Sequence, residues 1–466
     1  MKHILPLLLV LLFSLRLLAG EARYVFYFIG DGMGPNEVLA AEMYLAELNG
    51  EIGRKQLCMT QLPYSGQAST YSASNSITDS SAAGTCLATG VKTTNGVLGQ
   101  TPKGEQLTTI AEMLKQRGWA IGITTSVSID HATPASFYAH VSRRGDYYTV
   151  GRQMIESDFD FFGGATFYKP LDENDPTQPS LYDLLEENHY IVARGYNDYV
   201  ERSIGAKKMV LIQEGEGLSR DYKGSGMIPY AIDKKESDLT LPQITAAAIN
   251  FLSRNERFFL MVEGGAIDWA CHGNDGATVI HDVIEFDESI RLALEFYKEH
   301  PEETLIVITA DHETGGLALG NSDYTLNLQV LQHQHASVAR LNDILKAKHQ
   351  QLGKQLSWEQ VQDILKEYVG LYSAVEVTAE EDMQLKKAFK KSMKNSDKVK
   401  TLYKELSRLA DTAVRILNRK SKLGWTTGSH SAAAVPVFAI GAGAEQFTGW
   451  MDNTQIMPRM LEACNQ

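Results

Sequence analysis

Six short apolar runs recur along the chain: Tyr24–Ile29, Ala120–Thr124, Met209–Ile212, Phe258–Val262, Leu305–Thr309 and Val437–Ile440. They are rich in β-branched and aromatic residues, and most are bounded by Gly or Asp. Continuous rather than alternating hydrophobicity over four to six residues predicts strands buried on both faces. Helical periodicity lies between them. Leu107–Gln116 places Ile110, Met113 and Leu114 on one side and is followed by Gly118 as a stop, and Leu241–Leu252 and Val279–Tyr297 read as amphipathic helices. Strands alternating with helices predict an α/β fold, a three-layer sandwich around a large, mostly parallel sheet. Residues from about 323 to 423 depart from this pattern. They carry little strand signal and many Lys, Gln, Leu and Glu, with a capping start at Ser357-Trp358-Glu359-Gln360 and a charged helical stretch over Lys386–Arg419. This predicts a helical insertion between two core strands, serving as a solvated cap or as a lid or dimer surface. No internal repeat is present.

The first twenty residues form a separate object. Lys2 and His3 precede the apolar run Ile4–Phe13, and Leu18-Ala19-Gly20 offers small residues for cleavage before Glu21. This is the pattern of a secretory signal peptide over residues 1–20, leaving 21–466 as the exported chain, periplasmic or secreted. Arg16 keeps the apolar run shorter than the roughly 20 residues a membrane span needs, and no later stretch is long and apolar enough. The 466 residues carry 44 Lys+Arg against 57 Asp+Glu, a net charge of −13, with 44% hydrophobic and 22% charged residues. Such a composition excludes disordered and collagen-like classes, and the acidic balance argues against a nucleic-acid binder. Cys58, Cys86, Cys271 and Cys464 are too scattered for a disulfide framework, and no pairing is assigned; Cys86 and Cys271 read as small buried thiols.

The chemistry lies where the strands stop. In an open parallel sheet the carboxyl ends of the strands surround the ligand crevice. Here one run leads into Gly30-Asp31-Gly32-Met33-Gly34, another into Glu263-Gly264-Gly265 and on to Asp268 and His272, and a third into Ala310-Asp311-His312-Glu313-Thr314. Gly428-Ser429-His430 stands just before the last run. Asp268 and His272 are spaced i, i+4, which puts both on one helical face. Mixed carboxylates and imidazoles suit zinc, with magnesium at the oxygen-rich positions. The glycines beside these acids permit close backbone approach. A second element, Thr78-Asp79-Ser80-Ser81-Ala82-Ala83-Gly84, opens a helix of small residues. A serine at a helix amino end can meet a phosphate, or can simply cap the helix. No G-x-S-x-G elbow surrounds it.

Taken together these motifs resemble the alkaline phosphatase family. Thr78-Asp79-Ser80 with Thr89-Gly90-Val91-Lys92-Thr93 and Asn95-Gly96 resembles that family's nucleophile segment, and the Asp31, Glu263–His272 and Asp311–Glu313 segments match in family order from about residue 24 to 445. The resemblance implies an alkaline phosphatase domain over 21–466, hydrolysing small phosphate monoesters to an alcohol and phosphate through a phosphoserine on Ser80, with activity favouring alkaline pH. It implies two zinc ions and one magnesium ion per chain. Asp268, His272 and His430 would bind one zinc; Asp31, Asp311 and His312 the other; Asp31, Thr133 and Glu263 the magnesium. His131 would belong to the metal site without directly ligating magnesium. Arg144 would clamp the phosphate, with Arg143 the adjacent alternative, and Trp269 would help bind substrate through its indole N–H, or merely pack. His140 and His281 fit no ligand position and read as structural. A homodimer is implied as well. The alternative is a phosphodiesterase or sulfatase of the same superfamily.

Overall fold

Among the described residues, ten strands form one central sheet: β1 (Tyr24–Ile29), β2 (Tyr64–Ser69), β3 (Ala120–Thr125), β4 (Phe161–Gly164), β5 (Ile191–Arg194), β6 (Met209–Ile212), β7 (Phe258–Glu263), β8 (Thr304–Thr309), β9 (Val435–Gly441) and β10 (Gly449–Asp452). The computed structural model describes residues 21–213, 226–321, 323–394, 398–402 and 404–465. The export leader expected at 1–20 lies outside them. The strand order is β10-β2-β9-β8-β1-β7-β3-β4-β6-β5. Every pairing is parallel except those of β9, which runs against β8 and β2.

All six predicted runs are strands of this sheet. Every residue of β3, β7 and β8 is buried, so both faces are covered, as their unbroken hydrophobicity requires. Strands β2, β4, β5 and β10 were not expected. β2, β5 and β10 are partly exposed, and β4, though buried throughout, is only Phe161-Phe162-Gly163-Gly164, too short and glycine-rich to stand out. The register aligns the strand ends: Ile29 lies opposite both Glu263 and Thr309, and Thr125 opposite Glu263.

Helix limits follow capping chemistry. The helix expected from Leu107 starts at Ile110, because Thr109 and Glu112 close a capping box there. The helix expected over Val279–Tyr297 runs Gly276–Glu299, started by the Asp275 side chain. Between β8 and β9 lie helices Val338–Leu352, Trp358–Val369, Ala379–Ser392 and Arg408–Ser421. The stretch Lys386–Arg419 is therefore not one helix. A ribbon pairing Lys398–Lys400 with Glu405–Ser407 interrupts it, held across by Lys398–Glu405, and the Ser407 hydroxyl caps the helix that follows. All four cysteines are free thiols, with Cys86 and Cys271 buried. No helix among the described residues is long and apolar enough to cross a membrane.

Candidate metal centre and nucleophile

Each ligand-type side chain reaches the site because a strand ends beneath it. Asp31 follows β1, Glu263 closes β7 with the helix Gly265–His272 behind it, and Asp311-His312 follow β8. His131 and Thr133 follow β3 at the short helix Ala132–Ala135. His430 precedes its strand instead. It reaches the same edge because β9 is antiparallel, so its amino end lies among the others' carboxyl ends. A two-stranded pairing of Glu313–Thr314 with His430–Ser431 joins these segments. At Gly32, with φ +73°, a Cβ would lie 2.9 Å from the Asp268 Cα, so only glycine lets the Asp31 loop approach that closely.

Around Asp31, His312 Nε2 lies 3.4 Å from Asp31 Oδ1 and 3.4 Å from Asp311 Oδ2. Around Asp268, His272 Nε2 is 3.4 Å from Oδ2 and His430 Nε2 is 3.8 Å from Oδ1. The rings of His312 and His430 stack at 3.6 Å. Three sets offer ligand atoms within 4.8 Å of one another: Asp268–His312–His430, Asp31–Asp311–His312, and Asp31–His131–Glu263. His312 thus belongs to two sets, where the sequence reading gave it one, and His272 reaches the first through Asp268. Thr133 Oγ1 lies 3.4 Å from Asp31 and 3.2 Å from Asp311. Glu263 is instead held by the hydroxyl of Thr125, a residue the sequence reading did not select.

The three imidazoles share one arrangement. His272 Nδ1 meets the Gly428 carbonyl at 2.7 Å, His430 Nδ1 the Thr78 carbonyl at 2.8 Å, and His312 Nδ1 the Thr314 hydroxyl at 3.2 Å. A carbonyl can only accept, so His272 and His430 donate from Nδ1 and turn Nε2 toward the carboxylates. Thr314 was also missed. Its hydroxyl reaches Asp268 Oδ1 at 2.6 Å, tying a ligand-type residue of one set to one of the next.

Asp31, Glu263, Asp268 and Asp311 are all fully buried. Burial and the neighbouring acids raise Asp31 well above the carboxylate range, Glu263 to about 8 and Asp311 to about 7. Burial works against ionisation of Asp268 too, but His272, His430 and His312 hold its carboxyl well below that range. Asp31 Oδ1, Glu263 Oε1 and His430 Nε2 are buried without a hydrogen bond. Ligand atoms so aimed, among acids whose burial opposes their charge, fit bound divalent cations.

Ser80 Oγ lies 3.2 Å from His312 Nε2, fully buried at the first turn of the helix Ser80–Thr89. It does not cap that helix. Asp79 does, accepting from the Ala82 N–H at 3.0 Å. The helix packs tightly: a Cβ at Gly84 would lie 2.5 Å from Ser136 Oγ. Asp79 Oδ2 also lies 3.4 Å from Arg144 Nη1, while Arg144 Nη2 is 3.2 Å from His131 Nε2. Burial and Arg144 depress His131 to about 3, keeping it neutral. Arg144 lines a cleft of about 880 Å³ with Asp79, His131, Trp269, His272 and His430. Arg143 does not; its side chain is 78% exposed and pairs with Asp146. Trp269 meets His131 edge to face at 5.9 Å. His140 bridges Gly99 and Glu112, and His281 packs on Tyr44.

The chain is similar to known alkaline phosphatases in sequence and fold. The family model described as alkaline phosphatase matches residues 22–159 and 217–466. Alkaline phosphatase 4 of Bacillus subtilis (strain 168) is 32% identical over 449 residues, covering 93% of this chain and 87% of that one. The alkaline phosphatase of Escherichia coli (strain K12) is 30% identical over 334 residues, 62% of this chain and 70% of that one. Among solved structures, the cold-active enzyme of a psychrophilic Shewanella sp. superimposes with a TM-score of 0.79 at 29% identity, covering 95% of this chain and all of that one. The Thermus thermophilus enzyme gives 0.79 at 26% identity, covering 96% and 92%.

Proposed function

Because the chain belongs to the alkaline phosphatase family and is a phosphoric monoester hydrolase, we propose that it hydrolyses small phosphate monoesters through a phosphoserine formed on Ser80. The observation that carries this reading is the position of the Ser80 hydroxyl, fully buried and 3.2 Å from His312 Nε2, among the converging acids and imidazoles. Asp268, His272 and His430 would hold one zinc, Asp31, Asp311 and His312 the second, and Asp31, Glu263 and Thr133 a magnesium, with His131 beside it. These cations, when bound, supply charge for the attacking and leaving oxygens of an in-line displacement.

The remaining chemistry belongs to the chain. The Ser80 oxygen forms the new P–O bond while the ester oxygen departs and leaves as the alcohol. Water then cleaves the phosphoseryl bond, returning the hydroxyl and releasing phosphate. Arg144 presents a planar fork of N–H donors to two non-bridging oxygens, held by Asp79 on one nitrogen and His131 on the other. A neutral His131 accepts from Arg144 without competing for the phosphate. The amino end of the Ser80–Thr89 helix adds oriented dipoles. Trp269 closes one side of the cleft beside His131.

Acid quench during turnover, followed by mass spectrometry of the peptide containing Ser80, tests the assignment. The parent enzyme should show a phosphate on that peptide and Ser80→Ala none; a burst of full amplitude in Ser80→Ala overturns it. We further assign residues 1–20 to an export leader cleaved before Glu21, on the pattern of those residues, and a second copy of the chain as partner, on the strength of the family resemblance.

A further inference from the structure

The cleft over the candidate metal centre is chemically divided. Asp79, Arg144, His272 and His430 form its charged part. The same lining also includes Ile77, Tyr147, Tyr168 and Leu402. Tyr147 and Tyr168 pair at 4.8 Å between ring centroids. Three of these residues expose apolar surface: Ile77 is 42% exposed, Tyr168 39% and Leu402 61%. The Tyr168 backbone is fixed, since its N–H donates to both oxygens of Asp130. Leu402 comes from the loop joining the strands of the ribbon in the helical segment between β8 and β9, so that segment reaches the cleft directly.

Two of the polar side chains lining the cleft are already engaged. Asn95 Nδ2 donates to the Ile77 carbonyl and its Oδ1 accepts from the Asp79 N–H. Lys169 pairs with Glu173 at 2.7 Å. An apolar group here would cover exposed side chains and release water from them.

We infer that Ile77, Tyr147, Tyr168 and Leu402 form a subsite for the alcohol portion of the substrate, selecting phosphate monoesters of aromatic or bulky apolar alcohols over those of short ones. The inference rests on the phosphomonoesterase reading above. A matched pair of substrates tests it: 2-phenylethyl phosphate against ethyl phosphate, both releasing primary alcohols of similar basicity. The ratio of their kcat/KM values isolates the subsite, since effects on the chemical steps cancel. Covering a phenyl ring at a half-open wall should give a ratio of about tenfold. Leu402→Ser and Tyr168→Ser should each lower it by roughly threefold or more. Leu402→Ser alters only an exposed loop side chain, so it remains informative if Tyr168→Ser folds poorly. A parent ratio below about fivefold, or a ratio that Leu402→Ser leaves unchanged, overturns the subsite. Hydrolysis of neither ester would instead defeat the phosphomonoesterase reading.

Discussion

Replacing Thr314 by Val removes one hydroxyl and almost no volume. In the native site that hydroxyl has a single proton and two neighbours, Asp268 Oδ1 at 2.6 Å and His312 Nδ1 at 3.2 Å. A carboxylate only accepts, so the threonine donates to Asp268 and His312 must donate from Nδ1. The ring is then fixed with its Nε2 lone pair toward Asp31, Asp311 and Ser80. With Val, a buried charged acceptor loses its shortest partner and the imidazole loses the contact that selects its tautomer. The first loss costs about 1.5–3 kcal/mol and the second about 1 kcal/mol before relaxation. A net loss of about 2 kcal/mol corresponds to roughly 30-fold weaker metal binding, within the 10–100-fold range for residues that orient metal ligands. Zinc affinity, measured by competition with a chromogenic chelator at fixed pH, should fall by that factor in Thr314→Val and be largely kept in Thr314→Ser. Excess zinc should restore part of the activity. Zinc affinity within about threefold of the parent in folded Thr314→Val would refute the reasoning.

Two further outcomes follow from the same geometry. Asp79→Asn keeps a capping oxygen but removes the charge 3.4 Å from Arg144 and the oxygen that accepts from Ser81 and Gly96, so KM should rise by roughly three- to tenfold with some loss of thermal stability; an unchanged KM counts against Asp79 as the group that positions Arg144. Metal removal should destabilise the protein increasingly as pH rises. The folded-state pKa of Glu263 is raised to about 8 and that of Asp311 to about 7. Between the ordinary carboxylate range and those values the metal-free folded state holds more protons than the unfolded one, and stability falls with rising pH. The gap in melting temperature between metal-loaded and chelator-treated protein should therefore be larger at pH 8 than at pH 5. A gap independent of pH would contradict the burial of these acids.

What could be read from the chain is what is written locally. A strand buried on both faces must be apolar throughout, so β1, β3, β7 and β8 show themselves, and the acids at or just beyond β1, β7 and β8 are chemically conspicuous. Edge strands such as β10 and β5 face solvent on part of their surface and lack that signature. Strand direction is not written in an apolar run. His430 joins the cluster only because β9 is antiparallel; its place just before the last apolar run drew attention to it, but the run does not state its own direction. Thr314 was half legible. The period of two in an extended segment puts it on the same side as His312, but its second partner, Asp268, lies 46 residues away. Leu402 was not legible at all, being one exposed leucine in a charged segment whose meaning depends on where a ribbon loop ends. The ligand-type groups Asp31, Glu263, Asp311 and His312 are ionisable and adjacent to strand ends, so sequence exposes them. The groups that orient them, or that meet the rest of the substrate, act through contacts between distant segments, and only the fold brings those contacts into being.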